Sequence, residues 1–203
     1  MYFTAQVFVT ESCIPITTAE NFIEYLQTHP DKSFMKYHNS STGTRFDELE
    51  IWSKLSKRFP LPSLHKALPG WITMCRSHAE QISPHDDFVE SFEHVWAPEE
   101  VYFPTLMALT GALPDGVEKN SLTFAEWPSG RRDNKAHPIT FQLNKRNVQE
   151  WQDLGHFFAR KFVDAIDVDY WEEIVNECAT GDKRCLVSNN GDDEQPQQKK
   201  LKP

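Results

Sequence analysis

The stretch AQVFVTESCIPITTAENFIEYLQTHPDKSFMKY, residues 5–37, predicts a strand, a helix and a second strand in succession. Residues 5–10 favour β-structure and are continuously apolar at their centre, which is typical of a strand buried on both faces. Thr17 or Thr18 suits the N-cap of the helix, because its hydroxyl can accept a hydrogen bond from a first-turn N–H. Three apolar side chains then share one helix face: Phe22, Ile23 and Leu26. With residues 32–37 as the second strand, the β–α–β order indicates an α/β domain.

The rest of the chain alternates between strand-like and helix-like patterns. Strands are predicted at GWITMC, SLTFAEW and ITFQL, and helices at SHAEQI, DDFVESFEHVW and DYWEEIVNEC. Residues 147–166 repeat apolar side chains at helical spacing and predict one long amphipathic helix. Residues 38–70 predict a long surface loop around one helical segment at 48–57. The order predicts a mixed sheet flanked by helices, and such folds place ligands where strands end in loops.

Size and composition limit the class of protein. The chain has 203 residues, of which 39% are hydrophobic, and this is enough for one domain with a core. Its formal charge of -9 argues against nucleic-acid binding, which usually requires a basic surface. The sequence contains no apolar run of about 18 residues that could span a membrane. Residues 1–10 lack the basic region of a signal peptide.

Two adjacent carboxylates begin a further predicted helix, in the stretch WAPEEVYFPTLMALTG at residues 96–111. Pro98 suits the first helical position, and Glu99 and Glu100 then fall in the first turn, where the helix dipole favours negative charge. Pro104 is expected to delay or bend the regular part of the helix. The buried stripe of the helix is predicted to contain Val101, Leu106 and Leu109. By itself, this pattern is typical of a helix cap.

Four cysteines match neither a zinc site nor a CxxC redox motif: Cys13, Cys75, Cys178 and Cys185. Cys178 and Cys185 flank a short loop and would form a disulfide in an oxidising compartment, and buried free thiols are the equal alternative. Residues 187–203 lack core-forming side chains and are predicted to be a disordered polar tail.

Several stretches, in the same order, resemble the core-2/I-branching glycosyltransferases. FVTESCIP, FIEYL and SFMKY are similar to the family pattern FVLLSESCIP, YL and SF. GWITMCRSHAEQI is similar to the family's strand-to-helix junction QWF-x-L-x-R-x-HA, and APEEVYFPTL to its PDE-x-Y-x-x-T segment. LTFAEW, HPITF and FFARKF match three further segments. The resemblance covers residues 3–163.

The resemblance implies a GT-A-type glycosyltransferase fold and an inverting reaction. A sugar, with N-acetylglucosamine as the first candidate, would pass from a UDP-sugar to a hydroxyl of a glycan or glycoprotein. Related members use xylose or glucuronic acid donors, so the donor, acceptor and linkage stay open. The family needs neither a metal nor a DxD motif, so no metal and no cofactor are expected, and DVD at 167–169 is interpreted as a helix start. The Golgi lumen or membrane is the implied location.

By resemblance, Glu100 occupies the position of the family's general base. An acceptor hydroxyl is a poor nucleophile, and a carboxylate within hydrogen-bond reach can take its proton as it attacks the donor sugar. We expect Glu100 to point into a cleft and Glu99 to cap the helix.

The leaving diphosphate of such a reaction requires positive charge beside it. Lys161, in FARKF, matches the family's diphosphate-contacting lysine, and the alternative is a lysine on a helix surface. A second basic residue of the family has no arginine at its position here. Arg131, Arg132 and Lys135 in the preceding loop are the candidates for that charge.

Three residues are implied in acceptor binding. Trp127, which ends LTFAEW, matches an aromatic that stacks on the acceptor sugar, because sugar C–H faces pack well on an indole ring. Core packing is the alternative for this tryptophan. Arg45 lies in the long loop, where some members bind acceptor, and Glu11 matches a polar position near the substrate. His78 is expected to be structural.

The family's domain begins upstream, with the strands that hold uridine and ribose. The resemblance therefore implies an N-terminally incomplete catalytic domain at residues 1–186, the acceptor-side portion. Two functions stay open: a working glycosyltransferase, and a truncated, non-catalytic carbohydrate-binding relic of the family. No nucleic-acid partner is expected, and contact with a membrane would require a segment outside this sequence.

Overall fold

The computed structural model describes residues 5–39, 55, 57–67, 71–93, 95, 97–128, 138–162 and 166–179. These ranges contain nine strands: β1 (Ala5–Val7), β2 (Ile14–Pro15), β3 (Ser33–Phe34), β4 (Tyr37–Asn39), β5 (His65–Ala67), β6 (Thr73–Cys75), β7 (Val117–Glu118), β8 (Thr123–Ala125) and β9 (Phe158–Arg160). Five α-helices have their bounds in these ranges: α1 (Ala19–Thr28), α2 (Arg76–Ile82), α3 (Glu99–Leu109), α4 (Lys145–Asp153) and α5 (Val168–Ala179). Two 3-10 helices span Leu61–Ser63 and Ser83–Phe92.

The strands form three sheets. The first has the order β1-β6-β3-β7, with β1 and β3 antiparallel to β6 and β7 parallel to β3. The second has the order β2-β9-β8, with β2 antiparallel and β8 parallel to β9. β4 and β5 form an antiparallel pair. Parallel and antiparallel neighbours in one sheet confirm the predicted mixed α/β fold.

Two hydrophobic clusters join the helices to the larger sheets. One lies between the four-stranded sheet, α2 and α3, and its buried side chains include Ile72, Met74, Leu106 and Met107. The other lies between the three-stranded sheet, α4 and α5, and its buried side chains include Val148, Trp151, Ala159 and Ile174. Each larger sheet therefore has its own helical layer.

The first helix begins where its capping residue predicts. The Thr18 hydroxyl accepts a hydrogen bond from the Asn21 N–H at 3.3 Å, which satisfies a donor that the first turn leaves free. Leu26 is buried and Phe22 packs edge-on against Phe158, but Ile23 is 49% exposed. The prediction of Ile23 on the buried face is therefore wrong.

The first strand is shorter and more exposed than predicted. β1 ends at Val7, its central residue Gln6 is exposed, and the strand lies at an edge of the four-stranded sheet. The prediction of a strand buried on both faces is wrong, because an edge strand needs only one covered face. Beyond β1 the chain still follows β6, since the Phe8 N–H donates to the Ile72 carbonyl at 2.9 Å.

The predicted long helix at 147–166 is two elements. α4 ends at Asp153, Gly155 takes a left-handed conformation with φ 83°, and the chain returns as strand β9. Val148 of α4 and Phe162 just after β9 lie in the same hydrophobic cluster. The turn folds both elements onto one core. Their apolar residues therefore keep a spacing in the sequence that resembles that of a single amphipathic helix.

The helix with the paired carboxylates runs through its proline. α3 spans Glu99–Leu109 with Pro104 buried inside it. Val101 and Leu106 are buried as predicted, but Leu109 is 37% exposed and does not belong to the buried stripe.

Other predictions divide between confirmed and wrong ones. α5 begins at Val168, and the Asp167 carboxylate accepts a hydrogen bond from the Tyr170 N–H at 2.9 Å, so DVD starts a helix as predicted. Residues 139–143 form no strand, and DDFVESFEHVW is 3-10 rather than α-helical as far as Phe92. Cys178 is a buried free thiol. Three further predictions concern residues outside the described ranges: Cys185, the segment 48–54 and the polar tail. No helix in the described ranges has the length and apolar content to cross a membrane.

Candidate active site

The two adjacent glutamates at the start of α3 have different surroundings. Pro98 is the N-cap residue, and the Glu100 N–H donates to the Ala97 carbonyl at 3.0 Å, which closes the first turn. Glu99 is exposed, whereas the Glu100 side chain is only 22% exposed. The fold therefore directs Glu99 towards solvent and Glu100 towards the neighbouring strand.

The carboxylate of Glu100 forms an ion pair with a lysine of β5. The distance from Lys66 Nζ to Glu100 Oε2 is 3.7 Å, and the Lys66 side chain is only 13% exposed. Two partly buried charges of opposite sign lower each other's cost of leaving water. The pair therefore keeps a charged carboxylate at the edge of the core.

Contacts between α3 and β5 fix this pair in place. The Thr105 hydroxyl accepts a hydrogen bond from the His65 N–H at 3.2 Å and lies 3.4 Å from the His65 carbonyl, to which it donates. Thr105 and Ala67 are completely buried. Because Lys66 lies between His65 and Ala67, its backbone has little freedom to move relative to α3.

A second candidate region lies at the carboxyl ends of β8 and β9. The two strands are parallel, with Ala125 opposite Arg160, so Trp127 and Lys161 leave the same edge of the sheet. The Lys161 carbonyl accepts a hydrogen bond from the Phe141 N–H at 2.9 Å. Lys161 is half-buried after a strand, so the alternative of a lysine on a helix surface is wrong. Trp127 is 45% exposed, which also excludes its role as a core residue.

Sequence analysis did not identify Arg160, which precedes Lys161. The Arg160 guanidinium carbon lies 4.1 Å from the centre of the Trp71 ring, and its Nε is buried without a hydrogen-bond partner among the described residues. Burial lowers the pKa of the Arg160 guanidinium below its ordinary value, while the nearby Cys13 and Glu11 act in the opposite direction. A guanidinium nevertheless stays ionised in a protein. The sequence feature that could have identified Arg160 as a candidate is its position directly before Lys161.

The exposed Glu11 belongs to the loop between β1 and β2. This loop lies against the end of β9, because the Phe162 N–H donates to the Ser12 carbonyl at 3.2 Å. Glu11, Trp127, Arg160 and Lys161 are therefore gathered at one end of the three-stranded sheet. Arg45, Arg131 and Arg132 lie outside the described residues.

A continuous set of contacts joins the two regions. Phe103 lies one turn after Glu100 on α3, and the centre of its ring is 4.7 Å from that of Phe8. Phe8 bonds through its backbone to Ile72, and the preceding residue, Trp71, supports the arginine of the second region. The carboxylate region and the cationic region are therefore linked through residues of α3 and of the chain segments that follow β1 and lead into β6.

A third polar cluster is internal. His78 is buried, and its Nδ1 lies 2.8 Å from the Ser33 hydroxyl, which accepts a hydrogen bond from the Cys75 N–H at 3.0 Å. A side chain at Gly116 would clash with the His78 ring. His78 therefore has the structural role that its sequence context predicts.

Two other features contribute nothing to the site. Among the described residues, no group of three or more His, Cys, Asp or Glu side chains could hold a metal ion. The outer face of α4 carries a shallow depression, lined by Arg146, Gln149, Glu150, Asp153 and Leu154, that contains none of the candidate residues.

Comparison with known protein families identifies the class of protein. The sequence model of the Core-2/I-Branching enzyme family matches residues 4–163. Because the match covers most of the chain, the protein belongs to this family of glycosyltransferases, as its sequence motifs predict. The mixed α/β fold is consistent with the GT-A-like fold expected of it. No curated protein matches the chain.

Proposed function

We propose that the chain is an inverting, metal-independent glycosyltransferase in which Glu100 is the general base. It transfers a sugar, with N-acetylglucosamine as the first candidate, from a UDP-sugar to a hydroxyl of a glycan. Family membership supports glycosyl transfer in general. The observation that carries the residue assignment is the inward, ion-paired carboxylate of Glu100 on a segment that matches the family's base-bearing motif.

The proposed chemical step is a single displacement at the anomeric carbon. Glu100 takes the proton of the acceptor hydroxyl, and the hydroxyl oxygen forms a bond to C1 of the donor sugar from the face opposite the diphosphate. The bond between C1 and the diphosphate oxygen breaks as the new bond forms. UDP leaves with that electron pair, so the anomeric configuration inverts.

Positive charge for the leaving diphosphate would come from the end of β9. Lys161 is the first candidate, and Arg160 is the second because its buried Nε has no partner among the described residues. Cations that are already in place lower the energy of the charge that develops on the leaving oxygen. This arrangement would replace a metal ion. Arg131 and Arg132 remain candidates from sequence for the same role.

The acceptor glycan would lie beside the cationic region. Trp127 offers an exposed indole face for a sugar ring, and Glu11 is an exposed carboxylate that can accept hydrogen bonds from sugar hydroxyls. Arg45 remains a sequence-based candidate for the same surface. We place the protein in the Golgi from its family, and we assign the transferase domain to residues 1–186.

The test is a transfer assay with the full chain. UDP release would be measured with UDP-N-acetylglucosamine, UDP-xylose and UDP-glucuronic acid, each with a mixture of glycan acceptors and with EDTA present. We expect acceptor-dependent UDP release from one donor, reduced by about 10²- to 10⁴-fold in Glu100→Gln. Glycan binding without UDP binding or turnover would instead support the non-catalytic carbohydrate-binding function.

A further inference from the structure

We propose that Lys66 is a positioning residue for the general base. Its ammonium group would hold the Glu100 carboxylate in one orientation and favour the ionised form that accepts a proton. This inference rests on the proposed function of Glu100 and extends it to a residue on a different element.

The location of Lys66 gives its charge a specific partner. A lysine side chain that is only 13% exposed is uncommon, because an ammonium group loses strong hydration when it is buried. The ion pair with Glu100 at 3.7 Å offsets part of this loss. A surface lysine would gain little from such a pair. The burial of both groups therefore makes this interaction sensitive to the removal of one partner.

The backbone on either side of Lys66 is anchored. β5 pairs with β4 at His38 opposite Lys66, and the Thr105 hydroxyl joins β5 to α3 through the backbone of His65. The ammonium therefore approaches Glu100 from a strand that is fixed to the helix that carries the base. Groups held on regular elements are positioned more precisely than groups on loops.

The other charged and titratable groups on the elements around α3 are exposed or have contacts of their own. Glu99, on the same helix, is exposed. His38 lies opposite Lys66 in the pairing of β4 with β5, and on α2 Arg76 forms an ion pair with Glu80 at 2.6 Å. The His65 ring nitrogen Nδ1 lies 3.1 Å from the Ser63 carbonyl. On the 3-10 helix Ser83–Phe92, Asp86 and Asp87 act on Tyr102: burial raises the pKa of the Tyr102 hydroxyl, and these two carboxylates raise it further. Lys66 thus supplies positive charge to Glu100 in a region with several carboxylates.

The pair also has a role after the chemical step. When the acceptor proton moves to a Glu100 oxygen, the ammonium of Lys66 faces a neutral carboxylic acid. An ammonium beside a carboxylic acid favours loss of the acid's proton. The proton then passes to water, and the ionised base is restored for the next cycle.

The experiment compares Lys66→Met and Lys66→Arg with the wild-type full chain. Lys32→Met is the matched control, because Lys32 forms a surface ion pair of similar length with Glu118, 3.6 Å. Glutamate labelled with carbon-13 at the carboxyl group would report the titration of Glu100 by NMR, and the Glu100→Gln variant would assign its signal. The dependence of kcat/KM on pH would be measured with the donor found by the transfer assay.

We expect the Glu100 signal in Lys66→Met to titrate at higher pH than in the wild type, and the acidic limb of kcat/KM to move in the same direction. Lys66→Arg should restore both positions, and Lys32→Met should change neither. Lys66→Gln, which keeps a polar group without charge, replaces Lys66→Met if that variant does not fold.

An unchanged titration in the uncharged Lys66 variant would overturn this inference, as would an arginine variant that behaves like the uncharged one. Turnover retained in Glu100→Gln would instead overturn the proposed function. The NMR titration does not require turnover, so the two failures are distinguishable.

Discussion

The two candidate regions balance their charges in different ways. Where α3 meets β5, the Glu100 carboxylate has a protein cation beside it, Lys66 at 3.7 Å. At the end of β9, Arg160 lies over Trp71 with a buried Nε that no described residue satisfies, and neither Arg160 nor Lys161 forms an ion pair with a described residue. In the first region a described cation pairs with the carboxylate, and in the second the cations are ones that an external anion could satisfy.

This difference suggests a division of labour. A carboxylate that is already positioned can act on a substrate without reorganisation, and its loss should affect the chemical step. Cations that form no ion pair with a described residue contribute mainly when an anion arrives, so their loss should affect binding first. The variants below test whether catalysis and binding separate in this way.

The largest effect is expected for Glu100→Gln. The amide cannot accept the acceptor proton, so turnover should fall by about 10²- to 10⁴-fold, the usual contribution of a general base. UDP affinity, measured by calorimetry, should stay near that of the wild type because the donor region is unchanged. Glu99→Gln is the matched control and should keep activity within a few-fold. Comparable activities of the two glutamine variants would remove the distinction between the neighbouring carboxylates.

A smaller effect, on binding, is expected for Lys161→Ala. Loss of one hydrogen bond to a charged group should weaken UDP binding by about 10- to 100-fold. Calorimetry with UDP measures this change, and uridine, which lacks the diphosphate, is the control ligand whose binding should not change. Arg160→Gln should weaken UDP binding in the same direction. If both variants bind UDP as tightly as the wild type does, the end of β9 is not the diphosphate site.

Trp127→Ala should have a weaker effect, limited to the acceptor. Removal of the exposed indole face should raise the KM for glycan by about 3- to 10-fold, while kcat and UDP affinity stay nearly constant. Steady-state kinetics at saturating donor would measure this split, and Trp127→Phe should recover part of the affinity. A fall in kcat at an unchanged KM would argue against stacking and place Trp127 closer to the chemical step.

The sequence predicted features that depend on neighbouring residues. The Thr18 cap is local, because its hydroxyl and the Asn21 N–H that it satisfies are three residues apart. The two glutamates in the first turn of α3 were also predicted locally, but the N-cap is Pro98 without a side-chain cap hydrogen bond, so the prediction that Glu99 caps the helix is wrong. The family motifs also identified Glu100 and Lys161 as candidates. Glu100 lies at a helix start that the local pattern also predicted, whereas Lys161 lies in the segment 147–166, whose local pattern wrongly predicted a helix.

The features that sequence analysis missed depend on contacts between distant parts of the chain. No local pattern places Arg160 over Trp71 or Lys66 beside Glu100, because the partners lie on elements that meet only in the folded domain. The error at 147–166 has a related cause. The sheet pairing of Phe158 with Thr123 overrides the helical spacing, and Gly155 was the only local sign of the break.

The smallest expected effect concerns the support of β9 rather than its cations. His156 lies in the turn between α4 and β9, with its Nδ1 3.0 Å from the Ser121 carbonyl, and burial lowers the pKa of its imidazole. The folded protein therefore disfavours the protonated ring. Protonation is easier in the unfolded chain, where the pKa is about 6.5. The contribution of His156 to the free energy of unfolding is thus complete above that pH and is lost as the pH falls towards the lower native pKa.

Urea unfolding between pH 5 and pH 8 should show a steeper loss of stability in the wild type than in His156→Gln. Parallel slopes for the wild type and His156→Gln would mean that protonation of this ring does not destabilise the turn that leads into the cationic region.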